Sequence, residues 1–175
     1  MNDIKCSRNH ASQILTIFNE AIANSTALWD YEPRTTSSME AWFDAKERGG
    51  FPVVGVVGPA DKLLAFGSYG TFRAWPAYKY TVEHSLYVEK ESRGRGLGRR
   101  VLQRLIAEAE SQCFHTLVGG IESENAASIE LHKSLGFEKC GEIRHAGFKF
   151  GRWLNLLFYQ LLLSGPSIPR DGNAR

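Results

Sequence analysis

Cysteine is scarce in this chain and odd in number: Cys6, Cys113 and Cys140 stand far apart, with no Cys-x-x-Cys pair. That pattern excludes a disulfide framework and offers no zinc-ligand spacing, so no metal is expected. Long apolar runs are missing too. No segment approaches the roughly 20 apolar residues that cross a bilayer, and the N-terminus carries no apolar stretch of secretory-signal length. Neither charge sign dominates, since 21 basic and 19 acidic residues leave a formal net charge of +2. They are scattered, whereas a nucleic-acid surface needs a concentrated basic patch. The run Arg93, Arg95, Arg99, Arg100, Arg104 is the exception, and a solvated helix face is its plain explanation. These absences predict reduced thiols and a soluble, cytoplasmic protein with no membrane or nucleic-acid partner.

What is present fits one compact domain. The chain has 175 residues, 43% hydrophobic and 23% charged, close to globular averages. Ala11, Ile14, Leu15, Phe18, Ala21 and Ile22 recur at helical spacing, so a helix is predicted over about 9–23. Residues 24–36 read as a loop in which Trp29 and Tyr31 are costly to leave in water. Ser38 and the stretch 41–48 predict a short helix stopped by Gly49-Gly50. A strand over 51–57 then turns through Gly58-Pro59-Ala60-Asp61 into a second strand over 63–72. Residues 80–88 alternate as a strand, with Glu83, Ser85 and Tyr87 on one face and His84, Leu86 and Val88 on the other. Val101, Leu102, Leu105, Ile106 and Ala109 mark a helix, 115–121 a strand, and 125–135 a helix stopped at Gly136. Strands near 137–148 and 153–163 end the domain at residue 163, and 164–175 is predicted to be a flexible tail. The order predicts an α/β (α+β) domain: a central mixed, mostly antiparallel sheet with helices on both faces.

Chemistry concentrates at Arg93-Gly94-Arg95-Gly96-Leu97-Gly98. Closely spaced glycines between a strand and a helix let backbone N–H groups surround an anion, and the helix N-terminus adds partial positive charge. Arg95 and Arg99 offer full charges at the rim. A nucleotide-triphosphatase loop is excluded for want of Gly-x4-Gly-Lys-Ser/Thr, and Gly-x-Gly-x-x-Gly fails as well. A glycine turn without a ligand is the alternative.

Arg93-x-x-Gly96-x-Gly98, after Leu86-Tyr87-Val88, resembles the acetyl-CoA signature of the GCN5-related N-acetyltransferase (GNAT) superfamily. Asn125-x-x-Ser128-x-x-Leu131-His132-x-x-x-Gly136-Phe137 resembles its second motif. Thr81-Val82-Glu83-His84-Ser85, Gly147 to Trp153 and Trp42 are similar to the bacterial phosphinothricin and methionine sulfoximine or sulfone N-acetyltransferases. The similarity spans about residues 3–163.

The resemblance implies a GNAT-like fold and acetyl-CoA as co-substrate. It implies that Leu86, Tyr87 and Val88 pair with the pantetheine arm, while backbone amides from Gly94 to Arg99 hold the pyrophosphate. Asn125 and Ser134, nine residues apart, lie near one helix face and become cofactor candidates, a solvent-facing hydroxyl being the alternative for Ser134. Acetylating an amine requires removal of an ammonium proton, and Glu83 matches the subfamily's proposed base, working through one water; a plain salt bridge is its alternative. His132 stands where many members carry the tyrosine that protonates the leaving thiolate, and a structural histidine fits equally. For an amino-acid substrate, Arg73, Ala74, Trp75 and Tyr78 are candidates beside Glu83, His84 and Ser85, with Trp29 and Tyr31 as aromatic walls. Lys149 resembles a position near a dimer seam, and a homodimer is implied. The expected activity is acetylation of the α-amino group of small L-amino-acid analogues. Another amine (a protein N-terminus, a polyamine, an antibiotic) or a non-catalytic acyl-CoA sensor remain the competing readings.

Overall fold

The computed structural model describes residues 1–172. Seven strands and four α-helices alternate in the order β1 (Asn2–Lys5), α1 (Ala11–Asn24), α2 (Thr36–Gly49), β2 (Val53–Val57), β3 (Leu63–Thr71), β4 (Thr81–Val88), α3 (Leu97–Ser111), β5 (Thr116–Glu122), α4 (Ala126–Lys133), β6 (Glu138–Lys149) and β7 (Arg152–Leu162). One sheet runs β1-β2-β3-β4-β5-β7-β6, antiparallel everywhere except between β4 and β5. The final strand is internal, with β6 outside it. Among the described residues, no helix is long and apolar enough to cross a membrane.

Helices cover both faces. Ile14, Ile17, Phe18 and Ala21 of α1, with Met39 and Phe43 of α2, pack on Val53, Val57, Phe66 and Tyr87. On the other face Leu97, Val101, Leu102 and Leu105 of α3 meet Val54, Val56, Val82 and Leu117, with Ile129 and Leu131 of α4 packed alongside. Two-sided cover explains why all of β2 is buried and reads as an unbroken apolar run rather than an alternating one.

Helix limits differ from the sequence expectation where capping decides them. The second helix begins at Thr36 because Thr35 and Ser38 cap each other reciprocally: Thr35 Oγ1 accepts the Ser38 N–H, and Ser38 Oγ accepts the Thr35 N–H. Asn125 caps α4 from outside, its side chain accepting the Ser128 N–H, and the helix ends at Lys133 instead of residue 135. The arginine run is not simply solvated. Arg100 pairs with Asp3 at 2.6 Å and Arg104 reaches the Ile4 carbonyl at 3.5 Å, tying α3 to the first strand. Of the predicted tail, 164–172 carries no helix or strand, and 173–175 lies outside the described residues.

Candidate active site

The parallel pair decides where a cleft forms. β4 and β5 are in register only from Thr81↔Thr116 to His84↔Gly119. Beyond that point β4 stays with β3 through Val88, and β5 stays with β7 through Glu122. The two strands therefore part, and Leu86, Tyr87 and Val88 face the gap with backbone groups that no β5 partner takes. A strand edge of this kind accepts an extended amide-bearing chain as an added strand.

The gap opens into a cleft of about 730 Å³ lined by Leu86, Tyr87, Val88, Arg93, Gly94, Gly96, Leu97, Gly98, Arg99 and Asn125. At one end stands the N-terminus of α3. Its N-cap, Gly96, supplies no side-chain hydrogen bond, so the first-turn N–H groups are left for a ligand. Gly94 and Gly96 sit at φ 75° and 76°, left-handed values that favour glycine, with open space where a Cβ would lie. Arg99 is held on the rim by Ser134, Nη1 to Oγ at 2.8 Å. Arg93 donates to the Val88 carbonyl at 3.3 Å and pairs with Glu20 at 2.5 Å. Backbone donors, dipole and guanidinium suit a pyrophosphate. Two candidates stand apart from the lining. Ser134 does not line the cleft but anchors Arg99, because it caps the C-terminal end of α4. Arg95 does not line it either, and its guanidinium lies 3.8 Å from Met1 Sδ.

The inner end narrows to a chamber of about 200 Å³ that shares Leu86, Tyr87, Asn125 and Ser128 with the cleft and adds Trp29, Glu83, His84, Ser85, Gly119, Gly120 and His132. Burial pushes the Glu83 carboxyl above its ordinary range, while Arg73, 3.7 Å away, pulls it back. A carboxylate that is both reachable and raised is suited to proton transfer. Trp29 packs against Gly147, where a Cβ would meet the indole at 2.6 Å, and its Nε1 donates to the Thr26 carbonyl.

Other candidates lie elsewhere. Ala74, Trp75 and Tyr78 line a separate groove with Arg73, Phe51 and Phe114, because the bend after β3 carries them away from the strand gap. The Arg73 guanidinium reaches from that groove to within 3.7 Å of Glu83. Tyr31 is 71% exposed and donates to the Phe148 carbonyl, outside the chamber. Lys149 is buried, and its ammonium donates to the carbonyls of Ile22, Ser25 and Leu28, closing the end of α1. His132 borders the chamber, yet Nδ1 lies 2.7 Å from the Ser128 carbonyl and Nε2 lies 3.2 Å from His84 Nε2. A carbonyl only accepts, so the neutral ring spends its single N–H on Ser128. The helical spacing that aims His132 inward thus supplies no proton directed at a leaving thiolate.

Glu122 escaped the sequence reading. It is buried on the wall of both spaces, accepts from Thr26 Oγ1 at 3.1 Å and faces Arg152 at 3.7 Å. A lone acidic residue ending an apolar strand gives no periodic signal, and only the parting of β4 from β5 exposes it to the cleft. Among the described residues no cluster of His, Cys, Asp or Glu is arranged to hold a metal.

Comparison with known proteins agrees with this geometry. The sequence matches the Acetyltransferase (GNAT) family across residues 15–137. It is 47% identical over 150 residues to the L-methionine sulfoximine/L-methionine sulfone acetyltransferase of Pseudomonas paraeruginosa, covering 86% of this chain and 87% of that one. It is 40% identical over 156 residues to the L-amino acid N-acyltransferase MnaT of Escherichia coli, covering 89% and 90%. A GNAT superfamily phosphinothricin acetyltransferase from Sinorhizobium meliloti, solved in complex with acetyl-CoA, superposes with a TM-score of 0.92 at 28% identity, covering 97% of this chain and 92% of that one. With the parted strands, the uncapped glycine loop and these matches in hand, the chain belongs to the GNAT acetyltransferase family.

Proposed function

We propose that this enzyme transfers acetyl from acetyl-CoA to the α-amino group of small L-amino-acid analogues of the methionine sulfone, methionine sulfoximine and phosphinothricin kind, with Glu83 as general base. The observation that carries the reading is the position of Glu83, a burial-raised carboxyl on the strand whose next residues form the open edge of the cofactor cleft. Bound acetyl-CoA supplies the activated acetyl group. Leu86 to Val88 hold its amide arm by backbone pairing, and the amides from Gly94 to Arg99 hold its pyrophosphate. Glu83, through one water, would take a proton from the substrate ammonium and free the nitrogen lone pair to attack the thioester carbonyl; as the C–N bond forms the C–S bond breaks, and the second nitrogen proton passes to the departing CoA thiolate, leaving the amide and free thiol. Arg73, close to that carboxylate, is placed to meet the substrate's own carboxylate. The relatives' substrates support the choice of amine.

Thiol release from acetyl-CoA with a panel of amines tests this. Release is expected with methionine sulfone and its analogues, and Glu83→Gln is expected to lower kcat by about 10²–10⁴, the usual worth of a positioned base. Release only with peptides, polyamines or antibiotics would transfer the activity to another amine. Cofactor binding without release for any amine would make the chain a sensor. The unit of catalysis is residues 1–163, working in the cytoplasm, where free thiols such as these stay reduced. It is a homodimer in this reading. Supporting that is an apolar face on the outer hairpin, where Phe148 pairs with Trp153 and Ile143 lies nearby, 46%, 58% and 49% exposed.

A further inference from the structure

His84 and His132 meet where the two central strands part. His84↔Gly119 is the last register pair of β4 and β5, and the His132 ring enters from α4 at that level. The ring planes are inclined by 17° with centroids 5.1 Å apart, so the rings meet edge to edge, and both are buried. Gly119 makes room for them: a Cβ there would stand 2.9 Å from His132 Nε2 and 3.0 Å from His84 Nε2. Around the pair stand Phe137, Tyr159 and, across the β3 register, Tyr69, with no carboxylate among these neighbours.

The hydrogens of this pair have one arrangement. Ser128 O takes the proton on His132 Nδ1, which leaves His132 Nε2 an acceptor. A bond at 3.2 Å between two Nε2 atoms then needs its hydrogen on His84. His84 Nδ1 is left as a buried acceptor with no protein partner among the described residues. Burial also pulls both imidazoles below their ordinary range, His84 to about 3, so each is uncharged at neutral pH.

We propose that His84 is a positioning residue for acetyl transfer: by donating from Nε2 it holds the His132 ring in the tautomer and orientation that the Ser128 carbonyl selects, and the two rings form one proton-ordered pair packed over Gly119, at the last register pair of β4 and β5 and the inner end of the cofactor cleft. The proposal rests on the function given above for its kinetic consequence, but not for its structural one. An uncharged pair fills that position without placing an imidazolium beside the substrate ammonium.

The decisive measurement is ¹⁵N NMR of histidine-labelled wild-type protein, which reads tautomers directly and needs no turnover. It is expected to show hydrogen on Nδ1 of His132 and on Nε2 of His84, both neutral at pH 7. Hydrogen on His132 Nε2, or titration of either ring near pH 6.5, overturns the proposal whatever the activity. Kinetics supply the second arm. His84→Phe keeps the bulk but loses the donor, and is expected to lower kcat about tenfold, the scale of one buried acceptor left unpaired, with acetyl-CoA affinity by calorimetry within about twofold. His84→Gln, which can still donate, is expected to recover most of that loss, whereas His84→Ala, which removes the ring, weakens acetyl-CoA binding. Native kcat in His84→Phe, or no recovery in His84→Gln, refutes the positioning role. Failure of Glu83→Gln to lose activity refutes the base assignment and leaves the NMR prediction standing.

Discussion

Replacing Arg73 by alanine tests the electrostatics of the base more finely than deleting the base itself. The guanidinium lies 3.7 Å from Glu83 Oε2 and lowers a carboxyl that burial raises. In a medium of effective dielectric about 20, two charges at that distance interact by about 4–5 kcal/mol. Their side chains are 44% and 34% exposed, so water and salt reduce the net effect to the range of surface pairs, about 0.2–1 kcal/mol. At about 1.36 kcal/mol per pH unit, the variant's Glu83 should titrate roughly 0.2–0.7 unit higher. The sign follows from the chemistry. The base works ionised, so activity falls as pH drops through its pKa, and a higher pKa moves that loss toward neutral pH. The assay is kcat/KM for the amine from pH 4.5 to 8, with acetyl-CoA saturating, at low and at high salt. The acid limb of Arg73→Ala is expected to shift upward relative to wild type, with the gap closing as salt rises. An acid limb that stays put or moves down would refute the electrostatic argument. A rise in amine KM independent of pH would report instead the loss of a substrate contact.

Gly96→Ala places a Cβ on a left-handed residue with open space around it, so the cost is backbone strain of about 1–2 kcal/mol. Borne by the loop that holds the pyrophosphate, it should raise KM for acetyl-CoA roughly 5–30-fold with kcat little changed, as steady-state kinetics will show. Lys149→Met leaves the Ile22, Ser25 and Leu28 carbonyls without their shared donor. A loss of about 2 kcal/mol and a Tm lower by roughly 4–8 °C are expected by calorimetry. Trp153→Glu puts a charge on the exposed face of the outer hairpin, and light scattering is expected to record half the wild-type mass; an unchanged mass would remove that face from the dimer interface.

The sequence by itself determined the cofactor end of this protein. Glycines at 94 and 96 between a strand and an amphipathic helix are a local feature, because an uncapped helix start and positive φ angles need only neighbours along the chain. The two-faced sheet was legible from the order of elements, hairpins early and a strand-helix-strand-helix unit later. The tertiary structure alone decided the geometry of the inner end. Where β4 stops pairing with β5 is fixed by packing among distant segments, and that point determines that Glu83 is reachable, that Glu122 lines the wall, and that His132 turns its nitrogens toward Ser128 and His84. Ser134 read as a contact by helical spacing and Tyr78 by its place between Arg73 and Glu83, whereas one anchors Arg99 and the other lines a different groove. Spacing along a helix or strand gives the side a residue occupies, whereas what it touches depends on which element is packed against that side.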